Sequence, residues 1–292
     1  MISLVLPKGS LESQTLKLFE EAELPVRRRS DNEYNATIAD PRISRVKILR
    51  PQEIPIYVAQ GHFDLGITGL DWIRETASEV VEVMELGGSG RETGNPVKVV
   101  LAVPGDRPYA SALDIPPGTR LATEYPELTR RYFEALGIPV EVHRSYGATE
   151  AKVPEIVDAI VEVTETGSTI RRHGMKIIET LLESTLKLVA NSAAWADPDK
   201  RLAIEEISTL LGGVLNARGK VLVKMNVPVA RLADVMEVLP SMKAPTVSKL
   251  FGDEYYAVET VAIKATINLL IPELKKRGAE DILELPITKI VA

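Results

Sequence analysis

The sequence predicts an α/β protein with two lobes and a small separate C-terminal domain. Strand-like runs alternate with helical patterns over the first two thirds of the chain, and a glycine-rich stretch at residues 87–96 separates two such blocks. Beyond residue 218 the order changes to βαββαβ. The alternation is typical of α/β folds, and the second order is the ferredoxin-like pattern. Because both α/β blocks are small, we expect a ligand cleft between two lobes.

The first block begins with a strand predicted at residues 2–6 and a helix at 10–22. A strand at 46–49, a helix at 54–61 and strands at 65–68 and 80–86 follow. The glycine-rich stretch has no apolar periodicity, which predicts a crossover or a mobile loop. We therefore assign residues 1–96 to lobe I.

The second block contains strands predicted at 97–103, 120–123 and 140–143 and an amphipathic helix at 128–136. Residues 97–176 form the predicted lobe II. Residues 176–191 are rich in leucine, isoleucine and valine and predict strands that return to lobe I. A long helix follows the cap at Asp197 and ends near residues 217–219, so that lobe I also takes in about 177–217.

The third domain, residues 218–292, supplies the βαββαβ order. We predict strands at 220–227, 246–251, 255–263 and 281–290, with helices at 229–239 and 266–277. Each helix separates two strands, as the ferredoxin-like pattern requires.

Composition restricts the kinds of function. The formal net charge is −6 and the pI is near 5.4, which argues against nucleic-acid or membrane partners because these need a basic face. The chain has no cysteine, so disulfides, thiolate catalysis and cysteine–zinc sites are excluded. The first residues lack the pattern of a signal peptide, and no apolar run approaches the roughly 20 residues of a membrane span. We expect a cytoplasmic protein.

The segment at residues 158–169, DAIVEVTETGST, is the most informative part of the chain. It places carboxylates along a strand directly before a turn of glycine and hydroxyl residues. Carboxylates can accept hydrogen bonds from ribose hydroxyls, and backbone N–H groups that open a helix can bind a phosphate. The segment therefore predicts a sugar-phosphate site. The alternative, an acidic strand that simply turns into a helix, remains open on this segment alone.

Five segments in chain order point to a family: 6–11 (LPKGSL), 48–55 (ILRPQEIP), 64–71 (DLGITGLD), 120–126 (RLATEYP) and 158–169. Together they resemble the ATP phosphoribosyltransferases of histidine biosynthesis, in the long, histidine-regulated form. The resemblance spans nearly the whole chain. It implies two catalytic lobes of periplasmic-binding-protein type followed by a ferredoxin-like, ACT-like regulatory domain. Glu162 stands where relatives often have aspartate, so the reach of that carboxylate differs.

The resemblance also implies a reaction. Adenine N1 of ATP attacks C1 of the ribose of phosphoribosyl pyrophosphate, giving N1-(5-phosphoribosyl)-ATP and pyrophosphate in the first step of histidine biosynthesis. Adenine N1 already has a lone pair, so no acid, base or nucleophilic triad is required of the protein. Positioning, electrostatic stabilisation and Mg2+ on the pyrophosphate are expected instead.

The same resemblance assigns roles to individual residues. Lys8 and Arg50 are expected to neutralise pyrophosphate or triphosphate oxygens, and Asp71 and Tyr125 to lie near the adenine, the latter by stacking. A metal contact by Asp158 or Glu162 is compatible with this chemistry. The expected phosphoribosyl pyrophosphate site comprises Asp158 and Glu162 at the ribose hydroxyls and Glu165, Thr166, Gly167, Ser168 and Thr169 at the 5′-phosphate.

For the third domain the family implies inhibition by histidine, with Asn226 and Thr246 as contacts. It also implies a homo-oligomer, dimeric and hexameric. A domain used only for assembly is the alternative. Inhibition requires two states that histidine distinguishes, most simply two packings of the oligomer.

Two other functions remain in consideration. Prephenate dehydratase also joins a two-lobed fold to an amino-acid sensor, but it predicts a Thr-Arg-Phe run, and the nearest string here is Thr129-Arg130-Arg131 on an amphipathic helix. A two-lobed cytoplasmic small-molecule sensor is the other alternative. It does not require the phosphate-binding segment. Fold-level likeness alone does not decide among the three, since function belongs to the site.

Overall fold

The computed structural model describes residues 1–90, 95–240, 242, 244–252 and 254–291. The described chain divides into two compact units, residues 1–208 and 209–292. The predicted domain boundaries, including the one near residue 218, stay predictions. Of the glycine-rich stretch at 87–96, residues 91–94 lie outside the described residues, whereas Gly87 and Gly88 end a strand.

In the first unit, the described residues form one sheet of ten strands. The spatial order is β2-β3-β1-β4-β10-β6-β9-β7-β8, and β5 pairs with β10. The strands are Ile2–Pro7 (β1), Asn35–Ala36 (β2), Ile43–Leu49 (β3), Leu65–Gly69 (β4), Val81–Gly88 (β5), Val97–Pro104 (β6), Thr119–Thr123 (β7), Val140–Arg144 (β8), Ala159–Thr164 (β9) and Met175–Ala190 (β10).

One long strand joins the two halves of this sheet. β10 has 16 residues; its first part pairs with β6 and its last five residues pair with β4. The prediction of several returning strands was therefore wrong in number, because the leucine- and valine-rich run stays extended as one strand. We use lobe I for β1–β5 with their helices and lobe II for β6–β9 with theirs.

Helices lie between the strands. The helix Pro126–Leu136 shows why they begin and end where they do: Pro126 occupies its first position, and Gly137 ends it with a φ of +71°. The helix Leu70–Thr76 was not predicted. The helices of the first unit are Glu12–Glu21 (α1), Ile54–Ala59 (α2), Leu70–Thr76 (α3), Pro126–Leu136 (α4), Ser168–Arg172 (α5), Ser192–Ala196 (α6) and Pro198–Ala217 (α7), the last of which extends past residue 208.

The core of lobe II follows the two-residue period of its strands. In β6, Val99, Leu101 and Val103 pack into one apolar cluster, whereas Val100 and Ala102 pack into another. Alternate residues of a strand point to opposite faces. Both faces of this strand are thus covered, as in α/β sheets.

The second unit has the predicted order. Its sheet runs β12-β13-β11-β14 with antiparallel neighbours. Val221, Val223, Met225 and Val227 form the buried face of β11. The elements are Lys220–Pro228 (β11), Leu232–Met236 (α8), Thr246–Lys249 (β12), Tyr255–Ile263 (β13), Ile267–Lys276 (α9) and Glu280–Pro286 (β14).

The predicted fold class is confirmed: an α/β unit is followed by a βαββαβ unit. Several predicted elements are shorter than expected, two of them by several residues. The helix predicted at 229–239 is a 3-10 turn, Val229–Arg231, followed by α8, and the last strand ends at Pro286 rather than residue 290. Within the described residues, none of the helices combines the length and apolar character that crossing a membrane demands.

Candidate active site

The turn that follows β9 has the geometry of an anion site. Gly167 adopts a φ of +72°, and a Cβ at this position would lie 2.9 Å from Nη1 of Arg171. The Gly167 N–H donates to Oγ1 of Thr164 at 2.8 Å, which closes the turn before α5 begins at Ser168. The first N–H groups of a helix have no partner within the helix. Those of Ser168 and Thr169 are therefore oriented to receive an anion.

A cavity of about 340 Å3 opens beside this turn. Its walls come from β9, from the turn, and from the loop that follows β8. Four of the residues predicted from the sugar-phosphate segment face it directly, together with Glu162. The lining residues are Glu124, Gly147, Ala148, Glu150, Ile160, Glu162, Val163, Thr164, Glu165, Thr166, Ser168, Thr169 and Ile170.

Glu162 is one of four glutamates that line this cavity. Burial raises its pKa, and the nearby charges of Glu124 and Glu150 act in the same direction. A hydrogen bond from Thr149 and one from the Val163 N–H, at 3.1 Å, partly oppose the shift. In the described part of the chain, no lysine or arginine forms an ion pair with Glu162. The cavity thus holds an acidic group whose charge is costly.

A chain of hydroxyl groups connects this carboxylate to a lysine. The hydroxyls of Thr149 and Ser145 are 2.9 Å apart, and both side chains are buried. Lys152 donates to Oγ of Ser145. Thr149, whose interaction with Glu162 lowers the pKa of that carboxyl, thus also contacts a hydroxyl that accepts from a cation.

Asp158 does not line this cavity, contrary to the expected ribose contact. It precedes β9, and both its oxygens accept from Arg120, at 2.7 Å from Nη2 and 3.1 Å from Nε. These bonds lower the pKa of Asp158. Glu162 lies four positions further along the extended chain, which corresponds to about 13 Å. The two carboxylates belong to the same motif and the same face of the strand, but they lie at its opposite ends.

Lys8 and Arg50 are brought together on lobe I, as predicted. Lys8 follows β1 and Arg50 follows β3, and the Lys8 N–H donates to the carbonyl of Leu49 at 2.7 Å. Both line a second cavity of about 340 Å3, and Nζ of Lys8 lies 4.4 Å from the centre of the Tyr34 ring. The other lining residues are Gly9, Ser10, Tyr34, Pro51 and Gln52.

Asp71 and Tyr125 also meet, through a hydrogen bond between their side chains. The Tyr125 hydroxyl donates to Oδ2 of Asp71 at 2.8 Å, and Ser184 donates to Oδ1 at 2.6 Å. The Tyr125 ring packs at 4.6 Å from that of Trp72, and only 2% of the residue is exposed. Burial raises the pKa of its hydroxyl well above the ordinary value. Asp71, Trp72 and Tyr125 together line a cavity of about 330 Å3, and the stacking of Tyr125 on adenine stays a prediction.

Two further cavities join these parts into one cleft between the lobes. One of about 330 Å3 has Ser10, Leu11, Pro51 and Gln52 on the lobe I side and Thr164 and Glu165 among those on the lobe II side; the other, of about 630 Å3, includes Arg50, Trp72, Arg144 and Tyr146. Glu124 lines three of the four cavities, and so does Gln52. The cleft is therefore continuous from Arg50 to the glycine turn.

The sequence did not single out Gln52, Trp72, Glu124 or Arg144. Gln52 and Glu124 lie inside the segments 48–55 and 120–126, next to predicted residues, and that adjacency was an available signal. Arg144 ends β8 outside any of the five segments. Only the fold brings it to the cleft.

The described residues of the cleft form no metal site from protein side chains alone. Among the described residues, no group of three histidine, aspartate or glutamate side chains is arranged to hold an ion. Both oxygens of Asp158 are bonded to Arg120, and Glu162 has a raised pKa, which disfavours the charged form that binds metals. Neither is assigned as a ligand.

In the second unit, Asn226 and Thr246 lie on one face of the sheet but on different strands. Asn226 is paired with Ala257 of β13 and Thr246 with Glu259, which places them about 12 Å apart. Nδ2 of Asn226 donates to Oδ2 of Asp281 at 2.9 Å, and Asp281 has a φ of +49°. The two predicted residues do not touch each other, and Asp281 is an additional polar group beside Asn226.

Comparison with known proteins shows which family the chain is similar to. A family model described as ATP phosphoribosyltransferase matches residues 50–213, and one described as HisG, C-terminal domain, matches residues 217–289. The ATP phosphoribosyltransferase of Desulforudis audaxviator is 46% identical over 292 residues, and that of Pelotomaculum thermopropionicum is 44% identical over 292 residues. In both cases the alignment covers 99% of this chain and 99% of the relative.

A solved structure shows the same fold for the larger part of the chain. The ATP phosphoribosyl transferase (HisG:HisZ) complex from Thermotoga maritima contains a chain that matches with a TM-score of 0.61 and 24% identity. The match covers 72% of this chain and 98% of that one. Family models over both units and curated relatives over the full length agree on one conclusion: the chain belongs to the ATP phosphoribosyltransferase family.

Proposed function

We propose that this enzyme transfers the phosphoribosyl group of phosphoribosyl pyrophosphate to N1 of the adenine of ATP. The products are N1-(5-phosphoribosyl)-ATP and pyrophosphate, in the first step of histidine biosynthesis. The observation that supports this best is the glycine turn and helix start beside Glu162, facing Lys8 and Arg50 across one continuous cleft. Prephenate dehydratase and a non-enzymatic sensor have no comparable support.

The 5′-phosphate is proposed to bind at the turn from Glu165 to Thr169. Backbone N–H groups at the start of α5 and the hydroxyls of Thr166, Ser168 and Thr169 supply hydrogen-bond donors there. The protein's net charge of −6 makes such local donors necessary for an anionic substrate. Glu165 lines the same cavity and also the one next to it.

Glu162 is proposed to accept hydrogen bonds from the ribose hydroxyls. A buried carboxylate gains stability when donors approach it, because hydrogen bonds favour its charged form. Binding of the ribose would therefore offset part of the cost that raises the pKa of Glu162 in the empty cavity. Asp158, bonded to Arg120 at the other end of β9, takes no part in this proposal.

The transfer breaks the bond from ribose C1 to the pyrophosphate oxygen and forms a bond from adenine N1 to C1. The N1 lone pair makes the new bond, and the electron pair of the broken bond leaves with pyrophosphate. Lys8 and Arg50, on lobe I, are placed to neutralise phosphate oxygens while the substrates are held in line. Asp71 and Tyr125 are proposed to shape the wall of the nucleotide region through their mutual hydrogen bond.

Mg2+ is the divalent ion that we propose for this reaction. Because the described residues offer no ligand cluster of their own, the ion is proposed to arrive on the pyrophosphate oxygens. Bound there, it would neutralise part of the negative charge of the leaving group.

The test is the near-ultraviolet absorbance of the product. Purified protein is mixed with ATP, phosphoribosyl pyrophosphate and Mg2+, and pyrophosphatase is added to pull the equilibrium toward product. Product formation should require both substrates and be lost on chelation of the metal. Folded protein that forms no product under these conditions would overturn the proposal.

The second unit is proposed to bind histidine and inhibit the enzyme. Asn226 and Thr246, with Asp281 beside the former, present polar groups on one face of its sheet. We propose that the protein is a homo-oligomer, dimeric and hexameric, whose packing histidine changes. Asn226→Ala should retain activity within about twofold and lose most of the inhibition, a change of the size expected for one lost hydrogen-bonding side chain. Activity indifferent to histidine in the unaltered protein would leave this unit as an assembly domain.

A further inference from the structure

Glu75 is a buried carboxylate that the proposed chemistry does not use. It lies on α3 of lobe I and is 4% exposed. Its two oxygens accept from backbone N–H groups of lobe II: Oε1 from Glu127 at 3.2 Å and Oε2 from Leu128 at 2.9 Å. Both donors belong to the first turn of α4. A side chain of one lobe thus caps a helix of the other.

Arg144 adds a third contact from lobe II. Its Nη2 lies 3.6 Å from Oε1 of Glu75, and its side chain lines the largest cavity of the cleft. The orientation of this arginine toward the cleft is therefore linked to a residue of lobe I. Removal of the Glu75 charge would release both the helix cap and the arginine.

Asp71 makes a parallel connection one helical turn earlier. Positions four apart lie on the same face of a helix. Asp71 accepts from the hydroxyl of Tyr125, just before α4, while Glu75 accepts from the next turn. The two carboxylates of α3 hold one segment of lobe II, residues 125–128, at two points.

These contacts tolerate little movement between the lobes. A hydrogen bond is lost when donor and acceptor move apart by roughly 0.5–1 Å from such distances. A buried carboxylate that loses its donors has no water to replace them. A small shift between the lobes, too small to admit water, would therefore leave the Glu75 carboxylate without its backbone donors.

We propose that Glu75 is a positioning residue that fixes the angle between the two lobes. It thereby also fixes the distance from Lys8 and Arg50 of lobe I to the proposed phosphate turn of lobe II, residues 165–169. The effect on lobe geometry is independent of the reaction. The effect on catalysis rests on the proposed function.

A positioning role and general support of the fold predict different effects on two quantities, the affinity for ribose 5-phosphate and kcat. The 5′-phosphate turn and Glu162 belong to lobe II alone, so ribose 5-phosphate needs no contribution from lobe I. In Glu75→Gln, the affinity for ribose 5-phosphate should stay within about twofold, whereas kcat falls about 10- to 100-fold, as expected for misplaced reacting groups. A parallel loss of ribose 5-phosphate affinity would overturn the positioning role, since lobe II itself would then be damaged.

The lobe geometry can be measured directly because the natural chain has no cysteine. Lys17→Cys on α1 and Ala135→Cys on α4 are exposed positions on different lobes and accept spin labels. Pulsed electron paramagnetic resonance then gives the distance between the labels, with unlabelled protein added in excess to dilute any contribution from other subunits. Glu75→Gln should broaden or shift the distance distribution. Glu79→Gln removes an exposed carboxylate just after α3 and should leave it unchanged.

Tyr125→Phe provides a second variant that keeps the test decisive if Glu75→Gln does not fold. It removes one hydroxyl without changing the ring, and it should broaden the distribution as well. An unchanged distribution in folded Glu75→Gln, or in Tyr125→Phe where Glu75→Gln does not fold, would overturn the proposal. If the unaltered protein shows no transfer activity, the proposed function fails, while the distance measurement still decides the role of Glu75.

Discussion

The two ends of β9 hold acidic residues in opposite environments. Asp158, just before the strand, has both oxygens bonded to Arg120, and these bonds lower its pKa. Glu162, near the other end, is mostly buried beside Glu124 and Glu150, and burial raises its pKa. One carboxylate stabilises the fold, and the other is kept at a cost to it. A carboxylate held at such a cost in a cavity is typical of a binding site.

The difference teaches that residues of one motif need not share a role. Both carboxylates belong to the segment from which the sugar-phosphate site was predicted, and both point to the same side of the strand. Only the one next to the glycine turn reaches the cavity. Six variants, three of them controls, and a pH series can break or sharpen this contrast.

The largest expected effect comes from Glu162→Gln. The amide keeps the size of the side chain but loses its charge, so the ribose hydroxyls lose charge-assisted hydrogen bonds, and kcat/KM for phosphoribosyl pyrophosphate should fall about 100-fold. Asp158→Asn is the matched control at the other end of the strand and should change it by less than about threefold. Steady-state kinetics measure both values. Equal losses of kcat/KM in the two variants would contradict the different roles of Glu162 and Asp158.

Gly167→Ala should come next. Its φ of +72° is strained for alanine, and the added Cβ would meet Arg171 and Ile177. We expect about a tenfold loss of affinity for phosphoribosyl pyrophosphate, by calorimetric titration, because one distorted backbone donor costs about 1.4 kcal/mol. Gly137→Ala has a similar φ of +71° with open space around it and lies at the end of α4. If that control lost as much affinity, the turn after β9 would have no special role.

The pH dependence of stability should have opposite signs at the two ends. The pKa of Asp158 is lowered from 3.8, so its contribution to stability is present above that pH and is lost as the pH falls through the folded-state pKa. Asp158→Asn should thus be less stable than the unaltered protein near neutral pH, and the gap should close on acidification.

Glu162 should behave in the reverse way. Its pKa is raised from 4.5, so its charge destabilises the fold above the folded-state pKa, and this penalty disappears as the pH falls toward 4.5. Glu162→Gln should therefore melt at a higher temperature than the unaltered protein near neutral pH. Thermal melts over a pH series measure the change in stability of both variants. If Asp158→Asn and Glu162→Gln changed the stability near neutral pH in the same direction, the assigned environments would be contradicted.

The smallest effect is expected from Thr149→Val. It removes the hydroxyl that bonds to Glu162, so the pKa of Glu162 should rise further and the acidic limb of the kcat/KM profile should move to higher pH. The loss in kcat/KM near neutral pH should be about threefold to tenfold. Thr149→Ser keeps the hydroxyl and should leave the profile in place. A shift in both variants would point to packing rather than to the hydrogen bond.

The sequence predicted the elements around the phosphate turn because their signals are local. The strand ends at Thr164, Gly167 supplies the positive φ, and the helix starts at Ser168, all within the predicted segment. The order of the second unit was predicted for the same reason, since the alternation in β11 and β13 spans nine residues each.

The missed parts depend on contacts between distant residues. α3 follows β4 without an intervening turn, and its seven residues are too few for a clear helical period. The hydrogen bond from Tyr125 to Asp71 joins residues 54 positions apart in the sequence, and the one from Arg120 to Asp158 joins residues 38 positions apart. Local patterns contain no information on such partners. The hydrogen-bond partners of Asp158 and Tyr125 could therefore not be predicted from the sequence, and their roles toward substrate stay predictions.

The most direct test of the contrast along β9 is a crystal structure with phosphoribosyl pyrophosphate and Mg2+. We expect the 5′-phosphate at the N–H groups that open α5, ribose hydroxyls within hydrogen-bonding distance of Glu162, and Asp158 still paired with Arg120. A ribose bound to Asp158, with the Arg120 pair broken and Glu162 free of substrate, would contradict the account.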